Sequence, residues 1–207
     1  MGGVVEAMRG VAAGELANAF AFIGAGGHHA GRRFFGGYCC FNDVCIGIAE
    51  VRQRGLAARF AILDTDAHHG DGTRDIVEDD REVLHVCVCG RSFASADGTK
   101  LDLDVEWDAG ADPNAAYLAA VRAAFPAACR AFRPDLLIWY FGFDGHRGDY
   151  GDRGLTPPCF LGLADLLISL AAEVAGRRLV VVLGGGSRTD LATALIPPII
   201  ARLADAS

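Results

Sequence analysis

Four short apolar runs punctuate the chain: Phe20-Ala21-Phe22-Ile23, Phe60-Ala61-Ile62-Leu63, Leu136-Leu137-Ile138-Trp139-Tyr140-Phe141 and Leu179-Val180-Val181-Val182-Leu183. Each has the length of a strand buried on both faces, because a strand covered by helices reads as a continuous apolar run rather than an alternation. Helical signals lie between them. One segment runs from Asn42 to Arg54, a second opens at Asp112-Pro113, and a third opens at Thr156-Pro157 and runs to about Ala175. Aspartate suits a helix cap and proline the first helical position. Pro126 has no N–H to donate and its ring crowds the preceding turn, so the segment from Pro113 is expected in two pieces. Val83 to Val88 and Lys100 to Val105 read as further strands, reached through short polar connections. Strands alternating with helices predict an α/β fold, a mainly parallel sheet with helices on both faces. No internal repeat, Ser- or Pro-rich linker or composition break divides residues 1–207, which are read as one domain.

Composition narrows the function. A content of 52% hydrophobic and 22% charged residues supports a buried core. Nineteen Lys and Arg against 26 Asp and Glu give a net charge of −7, without a basic cluster, which argues against a nucleic-acid partner. The seven cysteines are odd in number, lack paired CxxC motifs and sit in apolar segments such as Tyr38-Cys39-Cys40-Phe41 and His85-Val86-Cys87-Val88-Cys89. That usage predicts reduced thiols in a cytoplasmic protein. The opening Met1-Gly2-Gly3-Val4-Val5-Glu6 lacks the basic start and long apolar core of a secretory signal. No apolar run is read as approaching the roughly 18 residues of a bilayer span, so no membrane partner is expected.

The chemistry follows the apolar runs. After them come Gly24-Ala25-Gly26-Gly27-His28-His29, then Asp64-Thr65-Asp66-Ala67-His68-His69-Gly70-Asp71-Gly72, then Gly142-Phe143-Asp144-Gly145-His146, then Gly184-Gly185-Gly186-Ser187-Arg188. A parallel sheet puts all four endings on one edge, where open α/β folds bind ligands. All the histidines except His85 fall within these endings. Taken singly, each stretch also fits an ordinary strand-end turn; their coincidence at four ends favours a site. In an extended stretch Asp66 and His68 would point the same way, with Asp64 on that face. With Asp144 as third group they would make an open site that leaves room for water and substrate. Asp64 and Asp71 are the carboxylates available to orient His28 and His29, and an imidazole so held keeps a defined tautomer and is a better base.

These motifs, together with Gly37-Tyr38-Cys39-Cys40-Phe41-Asn42-Asp43, resemble the zinc-dependent histone deacetylase superfamily, which includes acetoin-utilisation proteins and acetylpolyamine amidohydrolases. The match runs from Phe20 onward and implies an arginase/deacetylase-like fold and hydrolysis of an acylated amine, either a protein lysine or a small molecule. It implies one zinc ion on Asp66, His68 and Asp144, with His29 beside Asp71 as general base and acid and His28 beside Asp64 as its electrostatic partner. Gly37 and Tyr38 would line the acyl channel next to Cys39. A monovalent cation, usually potassium, would lie on main-chain oxygens of Asp64, Asp66 and His68, with Cys87 where a serine is common.

The chain departs from the family pattern in two places. Ser187 and Arg188 stand where family enzymes end the Gly-rich turn with a tyrosine that stabilises the oxyanion. Ser187, counted with the catalytic positions, is short, so the expectation is weak turnover of ordinary acetyl-lysine, a preference for bulkier or more reactive acyl groups, or replacement of the donor by Arg188, which could otherwise bind an acidic substrate group or occupy a surface turn. Only 27 residues precede the His-His pair, fewer than in the family, so the opening strands are expected to be missing. An uncovered strand near Phe20 would then be a pairing edge, pointing to a second copy or a partner subunit. Two other readings remain. One is a non-catalytic acyl-ligand binder. The other is a two-metal ureohydrolase-like enzyme, which wants a second carboxylate where His146 stands.

Overall fold

The computed structural model describes residues 2–22 and 27–206. In order these form α1 (Gly2–Ala12), β1 (Asn18–Ala21), α2 (Asp43–Gln53), β2 (Phe60–Asp64), α3 (Asp71–Val77), β3 (Val83–Cys87), β4 (Phe93–Ala94), β5 (Lys100–Asp102), α4 (Pro113–Phe132), β6 (Leu136–Phe141), α5 (Pro157–Val174), β7 (Leu179–Leu183) and α6 (Thr189–Asp205). Ile23, assigned to the first predicted strand, and the glycine turn at 24–26 lie outside the described residues.

The strands form one sheet in the order β1-β7-β6-β2-β3-β5-β4, with β4 antiparallel to β5 and every other pairing parallel. Because strand side chains alternate between faces, each apolar run feeds two cores at once. Phe60, Ile62, Leu136, Ile138, Tyr140, Val180 and Val182 pack with α1, α2 and Val77 of α3. Ala61, Leu63, Leu137, Trp139, Phe141 and Val181 pack with α4, α5 and α6. The parallel sheet with helices on both faces is thus observed, and β2, paired by β6 on one side and β3 on the other, is its centre.

Local chemistry sets several helix ends. Asn42 caps α2 by accepting from the Cys45 N–H at 3.1 Å, and Asp112 caps α4 by accepting from Asn114 N–H at 3.0 Å. The expected break at Pro126 is corrected, since α4 runs unbroken from Pro113 to Phe132. Phe125, Pro126 and Cys129 are all buried, so packing against the core outweighs the one intrahelical bond that proline cannot make. The helix ends at Arg133, whose left-handed φ of 55° lets its N–H reach the Cys129 carbonyl at 2.7 Å. Helices α1, α3 and α6 were not anticipated, and the predicted strands at Val83 and Lys100 stop earlier, at Cys87 and Asp102.

The reading of apolar runs needs one amendment. α5 is 18 residues long with a mean hydropathy of 1.5, enough by length and composition to cross a membrane. Its apolar stripe, including Phe160, Leu163, Leu167 and Leu170, faces the core, while Asp165, Ser169 and Glu173 lie exposed. Asp165 pairs with Arg202 and Glu173 with Arg130 on the flanking helices. This is the pattern of a helix packed on a sheet.

A buried cation ties the turn before β3 to β5. The Lys100 ammonium donates to the carbonyls of Asp80 at 3.0 Å and Val83 at 2.7 Å and to Thr99 Oγ1 at 2.9 Å. Replacing Lys100 by methionine keeps the stem but leaves those acceptors without their donor, so Lys100→Met is expected to cost about 2–4 kcal/mol. The check is a fall in the urea midpoint at unchanged slope; an unchanged midpoint would mean that the ammonium does not bind the two segments together.

Candidate active site and metal centre

The loops that follow β2, β6 and β7, together with the turn at 27–30, meet at the carboxyl edge of the sheet. There they enclose a cavity of about 390 Å³ whose lining includes His28, His29, Gly37, Tyr38, Asp66, His68, Tyr150 and Gly184 to Gly186.

On its floor, Asp66, His68 and Asp144 bring three donor atoms within 4.8 Å of one another. His68 Nδ1 lies 3.1 Å from Asp66 Oδ1 and 2.9 Å from Asp144 Oδ2. Both carboxylates are buried and fixed by backbone donors: Ala67 N–H to Asp144 Oδ1 at 3.0 Å, Gly185 N–H to Asp66 Oδ2 at 2.9 Å and His68 N–H to Asp66 Oδ1 at 2.9 Å. Gly185 has to be glycine, because a Cβ there would lie 2.3 Å from Asp66 Oδ2. β2 ends at Asp64, so the Asp66–His68 pair sits on a turn rather than in an extended strand. Asp64 does not join this group.

The donor set fits a single divalent ion. Two carboxylates and one imidazole leave coordination positions open, as catalytic zinc sites do. Crowding them without a cation has a visible electrostatic effect. Burial, with Asp66 close by, pushes the Asp144 carboxyl up to about 6. Hydrogen bonds from His68 to Asp144 and Asp66 lift its imidazole to about 10.

Beside this group stand two carboxylate–imidazole pairs. His28 Nδ1 lies 2.9 Å from Asp64 Oδ2, and His29 Nδ1 lies 2.6 Å from Asp71 Oδ1 at the start of α3. The two rings are 4.1 Å apart, and His28 stacks on Tyr140 at 4.8 Å. Burial alone would lower the His28 pKa, but Asp64, aided by Asp66 and Asp144, carries it up to about 9. Burial opposes ionisation of Asp64 too, yet His28 and His85 hold its carboxyl well below the usual range. The His29 pair is more open to solvent, with Asp71 about half exposed. Gly37, at φ 52°, lies against the His29 ring, where a Cβ would approach Cδ2 to 2.1 Å. Tyr38, also left-handed, stands almost fully exposed at the rim, and Cys39 is buried behind it.

Ser187 and Arg188 are placed differently from the oxyanion and substrate roles considered for them. Neither lines the cavity. Ser187 Oγ donates to Asp149 Oδ1 at 2.9 Å and its N–H to Asp149 Oδ2 at 3.1 Å, while the Arg188 guanidinium pairs with Asp190 at 2.6 Å. The residue that sequence reasoning missed is Tyr150. Its ring stacks on His68 at 5.5 Å, and its hydroxyl accepts from Gly186 N–H at 2.9 Å. Partial burial pushes the phenol up to about 12, so it keeps a proton to donate. Only its position in the loop after Asp144 hinted at this. His146 turns away, donating to the Arg147 carbonyl at 2.8 Å and stacking on Phe160.

A family model described as a histone deacetylase domain matches residues 1–201. The chain belongs to the histone deacetylase family. It is 32% identical to human histone deacetylase 7 over 204 residues, covering 89% of this chain and 21% of that protein. Histone deacetylase HDA1 of Saccharomyces cerevisiae is 31% identical over 207 residues, covering 91% of this chain and 29% of its own length. This chain therefore spans less than a third of either relative. Among solved structures, the HD domain of HDA15 superposes with a TM-score of 0.85 at 26% identity, covering 99% of this chain and 61% of that one. The α/β fold expected from the family is thus the fold found.

The electrostatics of the metal group carry a prediction. In metal-free protein the His68 imidazole is expected to titrate near 10 rather than 6.5, as read by NMR of its ring protons. A ligand must be neutral, so lowering the pH below that value should weaken metal binding by about tenfold per unit. An unshifted His68 titration would show that the three groups do not converge in solution.

Proposed function

We propose that this protein is a zinc-dependent amidohydrolase that removes an acyl group, acetyl in the simplest case, from a lysine side chain or a small-molecule amine. The observation that carries this reading is the His29–Asp71 pair in the same cavity as the Asp66–His68–Asp144 group. Membership of the histone deacetylase family agrees with it.

When bound, zinc supplies Lewis acidity toward the amide carbonyl and lowers the pKa of water. His29 is the base that takes the proton of the attacking water, and Asp71 fixes its tautomer through Nδ1. The same imidazole then returns the proton to the departing amine. His28, kept charged by Asp64, supports the negative charge that develops nearby. Tyr150 donates its hydroxyl proton toward the oxyanion, the part the family gives to a tyrosine on the Gly-rich turn. A bound cation of the potassium type on the backbone of Asp64, Asp66 and His68 belongs to the same reading. Gly37 and Tyr38 form one wall of the acyl channel. The exposed rings of Phe22, Phe35 and Phe41 favour association with a second copy or a partner.

The ureohydrolase-like alternative wants a second carboxylate where His146 stands, and His146 is directed at Arg147 and Phe160, which favours the single-zinc reading.

Mass spectrometry of a panel of acylated lysine peptides and polyamines, incubated with zinc-loaded protein, tests the reaction. Asp144→Ala should lose both zinc and turnover. His29→Ala should keep zinc and lose turnover by about 100-fold or more, and undiminished turnover would reject it as the base. Removing one oxyanion donor costs roughly 100- to 1000-fold in kcat. Tyr150→Phe should show a loss of that size with zinc content unchanged; full activity would take the donor role from Tyr150. A folded, zinc-loaded protein that binds a hydroxamate but turns over no member of the panel would favour the non-catalytic binder.

A further inference from the structure

A second cluster of metal-binding groups lies behind the first. His69, Cys87, Cys89 and Asp102 bring four donor atoms within 4.8 Å of one another, and they share no residue with the Asp66–His68–Asp144 group. We propose that these four residues bind a second divalent ion, zinc by the character of the donors, as a structural clasp between the catalytic loop and the sheet.

Topology explains how the cluster forms. Cys87 ends β3, and the chain bends after it so that Cys89 Sγ lies 3.8 Å from the Cys87 carbonyl oxygen. Asp102 ends β5 and is the register partner of Cys87 across the parallel pair. His69 comes from the loop after β2, directly after His68, so the neighbouring histidines serve opposite sides of one segment. His69 Nδ1 lies 3.2 Å from Cys89 Sγ and 3.7 Å from Asp102 Oδ2. Zinc bonds of about 2.3 Å to sulfur and 2.0–2.2 Å to nitrogen or oxygen place tetrahedral ligands about 3.3–3.8 Å apart. The cluster needs to contract by only about 1 Å at its widest to meet that geometry.

The surroundings suit the ion. Asp102 divides its carboxylate: Oδ1 accepts from the Arg74 guanidinium at 2.6 Å, leaving Oδ2 on the side of His69. Two thiolates, one carboxylate, a divalent cation and Arg74 then sum to zero charge. Cys87, Cys89 and Asp102 are buried and His69 is partly so, which keeps bulk water from most of the donor set. A cavity of about 400 Å³ lined by His69, Arg74, Lys100 and Asp102 gives an entry path. With two sulfurs and no open position, the set is that of a closed structural site rather than a catalytic one. The clasp does not depend on the reaction proposed above.

The test uses the full chain, reduced, stripped of metal and reloaded with cobalt(II). The Asp66–His68–Asp144 group contains no sulfur, so thiolate-to-cobalt charge-transfer absorption in the near ultraviolet reports the second site alone. We expect that absorption in the unmodified protein and in Asp144→Asn, and its loss when both thiols are removed in Cys87→Ser with Cys89→Ser. Native mass spectrometry with zinc should count two ions per chain in the unmodified protein and one in each variant. In the unmodified protein, bound zinc should also shield Cys87 and Cys89 from alkylation, a readout that needs no variant to fold. One ion per chain with no thiolate absorption would overturn the proposal, as would retention of that absorption when both Cys87 and Cys89 are replaced by serine. Failure of Asp144→Asn to lose its ion would instead count against the catalytic site and leave the clasp standing.

Discussion

A buried carboxylate at the end of the central strand sets the terms for everything around it. Asp64 is 1% exposed, and a charge so placed persists only if partners replace the water it has lost. The carboxylate has such partners in His28 and the Asp66 N–H, and the backbone carbonyl of the same residue ties a third segment. Oδ2 pairs with His28, Oδ1 accepts the N–H of Asp66, and its backbone carbonyl accepts from Val88. Each bond draws one segment to the same strand end: the His-His turn, the loop that carries Asp66 and His68, and the continuation of β3. Gly70 permits this closeness, since a Cβ there would lie 2.5 Å from Asp64 Oδ2 and 3.2 Å from His28 Nδ1. His85, buried in β3 at 3.9 Å from Oδ2, adds a second imidazole to the same carboxylate.

Much of this was legible before any coordinates. Buried strands write themselves as apolar runs, and a parallel sheet sends their carboxyl ends to one edge, so His28, His29, Asp66, His68 and Asp144 could be gathered without a contact map. The pairings His28–Asp64 and His29–Asp71 are compatible with that reading in distance. Other features were hidden for definite reasons. Local propensity argued for a break at Pro126, but burial of Phe125 and Cys129 on either side is a tertiary effect that no local rule contains. The neighbourhood of Cys87 and Asp102 depends on β3 pairing with β5, and strand order is not written in strand composition. Asp66 and His68 come together with Asp144 on a turn rather than in an extended strand, since β2 has already ended at Asp64.

The segment from Asp64 to Asp71 carries an unusual share of the work for so short a stretch. Asp64 faces His28, Asp66 and His68 face Asp144, His69 faces Cys89, and Asp71 faces His29. A loop with so many outward obligations has little freedom of its own, which suits the proposed chemistry, where the groups must keep their positions. The clasp inferred at His69 extends that logic, because it would hold the back of the segment whose front carries the catalytic ligands.

On the proposed mechanism, Ser187 in the place of the family's tyrosine is less a loss than a transfer between adjacent loops. The Gly-rich turn after β7 lends its N–H groups outward: Gly185 to Asp66, Gly186 to the Tyr150 hydroxyl, and Ser187 and Arg188 to Asp149. Ser187 Oγ adds a further bond to Asp149, the residue next to Tyr150. The turn therefore fixes the loop after β6 at two consecutive residues, and that loop presents a protonated hydroxyl stacked against His68. A short side chain at 187 serves this arrangement, because it can bond Asp149 while staying clear of the cavity. On the proposed mechanism the donor has moved one loop along the same sheet edge, and Ser187 positions it without touching the substrate.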